Sequence, residues 1–292
     1  MSARYLKGGL HCFTTEGGRP QASCKRGGPQ FYRSTLIMLS RLALLPVIIL
    51  TIGFGSNSSM LCFAQSDRQP QWVCSTTTRV KPDRVREFER CLKDLRSVYK
   101  QAGASWFITF QTFAGDTTEY TTVTPVMKFG DLDSPPPMTR VLGEAEGKRL
   151  SRKIARCYIS QTREYATPQV DLGIGTGKAP SGTYWVETNI SVTPGKMADY
   201  LNWLKDDYRP ALEKAGVAHF QVSRPIFGAA AGEIVIMRML KNLAEVDAGA
   251  VLSRALSDQK AREIAAKCVP LVSSSNTRII RMRTDLSYSE RW

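Results

Sequence analysis

The sequence contains very little histidine, since His11 and His219 are the only two in 292 residues. It also contains no Cys-x-x-Cys pair, although it has seven cysteines. Structural zinc sites are built from closely spaced cysteine and histidine ligands, and neither residue type is placed here to build one. The sequence therefore predicts no metal site.

Long apolar runs are also missing. Residues 42–54 (LALLPVIILTIGF) have the size of a signal-peptide core, whereas a spanning helix needs about 20 apolar residues. Arg41 precedes this run. After the run, Cys62 and Ala64 are small residues at positions −3 and −1 and predict cleavage after Ala64. We expect a mature chain without a stable membrane span, exported to the periplasm or beyond the cell, with an uncleaved anchor as the alternative. The Gly-rich, basic residues 1–37 indicate an over-extended start, so Met38 is the expected first residue.

A clustered positive charge is missing as well. The formal net charge is +14, but the basic residues are interleaved with acids, as in residues 84–90 (RVREFER). Proteins that bind nucleic acids gather their basic residues on one face, with aromatic residues between them. The alternation is instead typical of a solvated helix face with i,i+4 pairs. We therefore predict no nucleic-acid partner.

The chain does contain an internal repeat. Residues 78–83 (TRVKPD) and 190–195 (ISVTPG) are 112 positions apart, and each predicts a strand that turns into a helix. Both predicted helices end in Ala-Gly, at 102–103 and 215–216. That match needs one extra residue in the second copy, which we place at a kink near Pro210. The apolar stripes of the two helices correspond: Val85, Phe88, Leu92, Leu95 and Tyr99, and Met197, Leu201, Leu204, Tyr208 and Leu212.

The order of elements after these helices is also repeated. Each unit continues with two strands, a second helix (about 140–157 and 243–267) and a last strand. The order β-α-β-β-α-β, present twice, predicts an α+β chain of two ferredoxin-like units. We place the export segment at 1–64, the first unit at 69–172, a linker at 173–182 and the second unit at 183–292. The Gly-rich linker fails as a phosphate-binding loop, because Leu172 and Ala179 stand at required Gly and Ser/Thr positions.

Four cysteines remain after the expected cleavage: Cys74, Cys91, Cys157 and Cys268. In an oxidising compartment they allow three pairings, and the sequence does not choose among them. Cys91 with Cys157 is the favoured pair, because both lie on predicted helices of the first unit. The alternative is that all four are small buried apolar side chains.

The repeated Val-x-Pro helix entry, the Gly-closed first helix and the length of the two units resemble the dimeric α/β-barrel superfamily. That group includes proteins similar to antibiotic-biosynthesis monooxygenases and to NIPSNAP proteins. The resemblance covers residues 70–290 and implies that both halves of the barrel are fused in one chain. It also implies a small-molecule site inside the barrel, but it supplies no catalytic motif.

Strand alternation predicts which side chains face the inside of such a barrel. The inward residues of the first unit are mostly apolar, and those of the second unit are polar. Such a mixture is typical of a site for a small, largely apolar ligand. The first set comprises Ser75, Thr77, Trp106, Ile108 and Phe110, and the second comprises Trp185, Glu187, Asn189, Ser191, His219, Gln221 and Ser223.

His219 is the only histidine in the mature chain, so we name it with Glu187 as a candidate acid/base pair. A third strand separates their two strands by about 9–10 Å, so they would meet only through a ligand or water. The alternative is that His219 simply begins a strand. The candidate ligand-binding residues are Trp185, Asn189, Gln221, Ser223 and Trp106.

We therefore expect an exported barrel that binds a small, largely apolar ligand and needs no cofactor. One alternative is an enzyme resembling cofactor-independent or haem-dependent monooxygenases, in which His219 would be the single axial haem ligand. The other is a protein-interaction module with a filled barrel, for which an exposed apolar patch is expected. Assembly into a homo-oligomer is compatible with each.

Overall fold

The computed structural model describes residues 71–175 and 183–290. The predicted export segment and start, and most of the predicted linker, lie outside these residues. The first unit has the expected order of elements. Its elements are β1 (Trp72–Val80), α1 (Val85–Gln101), β2 (Trp106–Ala114), β3 (Glu119–Val126), α2 (Pro137–Cys157) and β4 (Tyr158–Pro168).

The second unit repeats the four strands but divides its helices. Its elements are β5 (Tyr184–Val192), α3 (Met197–Trp203), a π-helical turn (Leu204–Tyr208), α4 (Arg209–Lys214), β6 (Phe220–Phe227), β7 (Glu233–Leu240), α5 (Ala244–Asp247), α6 (Val251–Ala255), α7 (Asp258–Cys268), β8 (Val272–Met282) and a short β9 (Tyr288–Ser289).

The single helix predicted over residues 243–267 is three short helices. Gly249 has φ +80° between α5 and α6, and the side chain of Ser257 caps α7 by accepting a hydrogen bond from the Lys260 N–H. A residue with positive φ and a new N-cap each interrupt a helix that apolar periodicity alone would continue.

The extra residue of the second repeat lies in the π-helical turn Leu204–Tyr208, directly before Pro210. A π turn holds one residue more than an α turn, so the apolar stripe returns to register after it. The prediction of one extra residue near Pro210 is consistent with this turn, which replaces a sharp kink.

The strands form one closed, antiparallel barrel. Their order around it is β2, β3, β1, β4, β6, β7, β5, β8 and back to β2. Within each unit this is the strand order of a ferredoxin-like sheet, and the units join where β4 pairs with β6 and where β8 pairs with β2. The predicted fold class is therefore confirmed. The barrel closes within one chain, and a homo-oligomer stays a prediction.

Each unit also ends inside the other. Leu172, which follows β4, is buried in the helix-side core of the second unit, and Leu286, which follows β8, is buried in that of the first. Two arginines fix these tails in the same way. The Arg209 guanidinium donates to the Asp171 carbonyl at 2.8 Å, and that of Arg96 donates to the Asp285 carbonyl at 2.9 Å. The unit boundaries stay predictions, but the packing shows that neither core is complete without the other unit's tail.

All four cysteines in the described residues are free thiols. Cys91 and Cys157 are fully buried, which agrees with the interpretation of small buried side chains, whereas Cys74 and Cys268 are half-buried. No helix in residues 71–175 and 183–290 is long and apolar enough to cross a membrane.

Candidate functional site

One end of the barrel interior is packed with apolar side chains. Trp185 lies there beside Phe110, with ring centroids 6.3 Å apart, and only 3% of its surface is exposed. Its Nε1 is buried without a hydrogen-bond partner in residues 71–175 and 183–290. This inward position was predicted from strand alternation. The other members of the layer are Met239, Ile280, Met282, Ile108, Val123 and Met237.

A polar layer lies next to it. Glu187 faces Arg278 across the β5–β8 pair, and the Arg278 Nη2 atom is 2.7 Å from its carboxylate. Arg278 also pairs with Glu119 of the first unit, so one guanidinium joins carboxylates from both units. The Asn189 amide donates to Glu187 at 3.1 Å. Glu187 is thus a partner in a buried ion-pair network.

His219 and Glu187 are not brought together. The His219 ring packs near Trp185 at 6.3 Å, and the His219 carbonyl accepts from the Met239 N–H. Glu187 instead lies opposite Met237, one layer further along β7. Burial lowers the pKa of His219, which favours its neutral form. The segment after β4 lies against this histidine, because a Cβ on Gly175 would come within 2.9 Å of its Nδ1.

The other predicted site residues are spread out. Gln221 lies opposite Met237 and is exposed, and Ser223 lies opposite Val235 and is half-buried. Trp106 begins β2, where it pairs with Ser289. Trp106 alone among the predicted site residues borders the cavity described next.

A cavity of about 1200 Å³ lies in the first unit, between its sheet and helices α1 and α2. Binding sites for small molecules commonly measure roughly 300–1,000 Å³, and packed protein interiors hold few voids larger than a water molecule. A cavity of this size is therefore not a packing defect. Its apolar wall includes Leu92 and Leu95 of α1, Met138 and Ile154 of α2, and Val126 of β3.

The sheet side of this cavity is polar. Cys74, Thr76, Thr124, Arg163 and Tyr165 point into it from three neighbouring strands, since Cys74 pairs with Thr124 and Tyr165, and Thr76 pairs with Arg163. Tyr99 of α1 faces them from the helix side.

The electrostatics of this group favour neutral acids around one cation. Burial raises the pKa of the Cys74 thiol, which the nearby Arg163 charge offsets only in part. Burial is also the main reason that the pKa values of Tyr99 and Tyr165 are raised. At neutral pH, therefore, Arg163 faces a thiol and two phenols that all keep their protons.

The segment between β3 and α2 covers one side of the cavity. Its Phe129 ring lies 5.3 Å from Trp72, 5.2 Å from Tyr165 and 5.2 Å from Phe227 of the second unit. Phe129 is 39% exposed and Phe227 is 50% exposed, so these rings form an aromatic cluster that solvent reaches.

Three solved structures share this architecture at low sequence identity. A candidate monooxygenase from Lactobacillus acidophilus NCFM matches with a TM-score of 0.53 and 10% identity, over 73% of this chain and 94% of that one. An anthrone oxidase-like protein matches with 0.53 and 13%, over 76% and 94%. A candidate monooxygenase from Fusobacterium nucleatum subsp. nucleatum matches with 0.51 and 9%, over 73% and 93%. The fold is that of the dimeric α/β barrels.

At these identities the likeness establishes the fold and leaves the chemistry of this α/β barrel open. No protein-family model matches the sequence, and a search of curated proteins finds no match.

Apart from Trp106, the residues of the cavity were not predicted as site residues from the sequence. Attention went to the inside of the α/β barrel, where His219 and Glu187 lie, whereas the cavity lies on the opposite face of the sheet. A usable signal was present in β1. Its helix-facing positions are Cys74, Thr76 and Thr78, whereas a strand that covers a packed core normally carries apolar residues there.

Proposed function

We propose that this α/β barrel binds a small, largely apolar ligand in the cavity between the first sheet and helices α1 and α2. The observation that carries the proposal is the cavity itself, which combines an apolar helix wall with polar groups converging from the sheet. The expected ligand class is unchanged from the sequence interpretation, but the site moves from the inside of the barrel to the helix side of the first sheet.

The barrel interior remains a second proposed site. The unpartnered Nε1 of Trp185 supports it, because a buried N–H normally finds an acceptor. The dense apolar packing around Trp185 argues against it, and favours instead the alternative of an interaction module with a filled barrel. The exposed rings of Phe129 and Phe227 would then be candidates for a partner surface.

A haem does not fit the donors around the cavity. Haem iron needs an axial protein ligand, and His219 is not among the residues that line the described cavity. Cys74 supplies a sulfur atom, and Tyr99 and Tyr165 supply phenol oxygens. The pKa values of all three are raised, which favours the protonated forms, whereas haem iron takes cysteine or tyrosine as the deprotonated ligand. The proposal therefore uses no haem.

Oxygenase activity in the same cavity is the second candidate function. The observation that favours it is that the similar structures are named as candidate monooxygenases and as anthrone oxidase-like. This support comes through the fold alone. Oxygen uptake that depends on a compound held in the cavity would raise this candidate above simple binding.

Ligand binding can be tested with the neutral, apolar fluorophore N-phenyl-1-naphthylamine and the full chain. We expect its fluorescence to rise on binding, and Leu95→Trp to weaken binding at least tenfold because the larger ring occupies the cavity. Asp94→Trp is the matched control, since Asp94 is the neighbouring residue on α1 and is exposed to solvent. Native mass spectrometry of the purified chain would show a retained ligand as added mass.

The proposal is wrong if the fluorophore does not bind, or if both tryptophan variants bind it as well as the unmodified chain does. The first result would leave the cavity without a ligand. The second would place the fluorophore elsewhere on the protein.

A further inference from the structure

Arg163 is a cation without an acidic partner in the described part of the chain. Its side chain points from β4 into the cavity, beside Tyr165 and Cys74. The arginines at the unit joints are neutralised, since Arg278 pairs with Glu187 and Arg283 pairs with Asp285. Arg163 is exposed, so water solvates its guanidinium when the cavity is empty, and the cation stays available to an anionic ligand.

A turn of the second unit lies close against the backbone of Arg163. Gly228, in the turn after β6, has φ +85° and lies against the backbone of β4. A Cβ at this position would collide with the Arg163 carbonyl, so only glycine allows the two segments to approach this closely. The second unit thus packs against β4 at the residue whose guanidinium lines the cavity.

The groups around Arg163 are suited to an anion. Tyr99, Tyr165 and Thr124 carry hydroxyl donors, and the Cys74 thiol lies among them. An anionic head group placed here would accept hydrogen bonds from these neutral donors and pair with the guanidinium, which matches carboxylate geometry with two parallel N–H donors.

The remaining charged residues that line the described cavity lie outside the four strands of the first sheet. Asp131 and Arg140 belong to the stretch between β3 and the middle of α2, and Glu290 follows β9, and all three are exposed. Asp131 already accepts a hydrogen bond from the Lys128 N–H, and Glu290 accepts one from the Tyr288 hydroxyl. Arg163 is therefore the charged residue on the sheet side of the described cavity, among the hydroxyl groups.

We propose that the ligand is an amphipathic carboxylate, whose head group pairs with Arg163 and whose apolar part lies against Leu92, Leu95, Met138 and Ile154. This inference rests on the proposed ligand-binding function. It adds the charge and the orientation of the ligand, with the apolar part directed toward α1 and α2.

The test compares dodecanoate with dodecan-1-ol as competitors that displace N-phenyl-1-naphthylamine from the full chain. The two compounds have the same apolar chain and differ in the head group. We expect dodecanoate to displace the fluorophore at the lower concentration. Arg163→Gln should weaken dodecanoate about tenfold and leave dodecan-1-ol within about twofold, because solvent reaches Arg163 and limits the strength of the ion pair.

Two variants make the result specific. Arg163→Lys keeps the charge and should hold dodecanoate to within about threefold to fivefold of the unmodified chain. Arg140→Gln removes the other positive charge of the described cavity, which lies on α2 away from the hydroxyl groups of the sheet, and should change dodecanoate affinity by less than about twofold. Circular dichroism of each variant confirms that it is folded.

The inference is overturned if Arg163→Gln weakens both competitors equally or neither, or if Arg140→Gln has the larger effect on dodecanoate. It is also overturned if dodecanoate fails to displace the fluorophore from the unmodified chain. Each of these results is distinct from failure of the fluorophore to bind at all, which would instead refute the proposed function.

Discussion

The two units have the same strands in the same order, yet the spaces between sheet and helices differ. In the second unit sixteen buried residues form one apolar cluster in this space, whereas in the first unit the cluster has seven residues and lies beside a cavity of about 1200 Å³. Trp203 and Tyr208 stack at 4.9 Å in the filled layer. The corresponding positions of α1 are Cys91, 112 residues before Trp203, and Leu95, the matching member of the apolar stripe.

This difference shows how a duplicated unit acquires a site without changing its fold. Smaller side chains on one helix leave a space. Polar residues on the facing strands provide hydrogen-bonding and charged groups to a ligand in that space. The second, filled unit supplies stability. Its turn at Gly228 packs against the backbone of Arg163 in the first, hollow unit. The comparison depends on the layers being packed differently, and that can be measured.

The largest expected effect comes from shortening one stripe position in both units. Leu204 is fully buried in the filled layer, and Leu92, 112 residues earlier, borders the cavity. We expect Leu204→Ala to lower the free energy of unfolding by about 3–5 kcal/mol. Leu92 is buried too, at 2% exposure, but its substitution by alanine should cost less, about 2–3 kcal/mol, because fewer packed atoms surround a side chain that borders the cavity. Urea unfolding measures both values. Equal losses would mean that the two layers are packed alike.

A smaller effect is expected from giving the hollow unit a residue of the filled one. Leu95→Tyr copies Tyr208 and should fill part of the cavity, which raises the free energy of unfolding by about 1 kcal/mol. For a chain of this size that corresponds to an increase in Tm of about 2–4 °C, measurable by calorimetry. The reverse change, Tyr208→Leu, should lower Tm. A decrease in Tm with Leu95→Tyr would show that the cavity does not accept the ring.

The smallest expected effect distinguishes the two exchanged tails. The hydrogen bonds from Arg283 hold the pKa of Asp285 below its ordinary value, and Asp171 occupies the same place in the first tail without an ion pair in the described residues. A lowered folded-state pKa stabilises the fold above the unfolded pKa, and this contribution is lost as the pH falls through the folded one. We expect Asp285→Asn to cost about 0.5 kcal/mol at pH 7, since half of its side chain is exposed.

The measurement is urea unfolding at pH 7 and at pH 3, with Asp171→Asn as the control. The cost of Asp285→Asn should shrink at the lower pH, where the unmodified carboxyl also takes up a proton. A cost of Asp285→Asn that stays constant between the two pH values would show that the ion pair with Arg283 does not stabilise the tail.

The architecture followed from local patterns. The 112-residue repeat predicted the element order, and alternation in β5 predicted that Ile190 and Val192 face the helices while Trp185 and Glu187 face inward. These patterns can be read within one strand. Successive side chains point to opposite faces of the sheet, and each face is apolar or polar according to what covers it. The division of the last long helix at Gly249 was missed, because apolar periodicity continues across it.

The candidate site was less predictable. His219 and Glu187 attracted attention by residue type, but neither borders the cavity, and Glu187 has its own partner in Arg278. A cavity arises from the summed volumes of side chains on different elements, such as Leu95 on α1 where the other unit has Tyr208. The sequence around either residue does not reveal this difference in side-chain volume, but alignment of the two repeats does.

The exchanged tails have a consequence for dilution. In a barrel assembled from two separate chains, the subunits separate as the concentration falls, and each loses the partner that completes it. Here Leu172 and Leu286 pack into the opposite unit of the same polypeptide. Their effective concentration therefore depends on the length of the connecting chain and not on the protein concentration. The barrel, including the close packing of Gly228 against the Arg163 backbone, is expected to be as complete at nanomolar as at millimolar concentration.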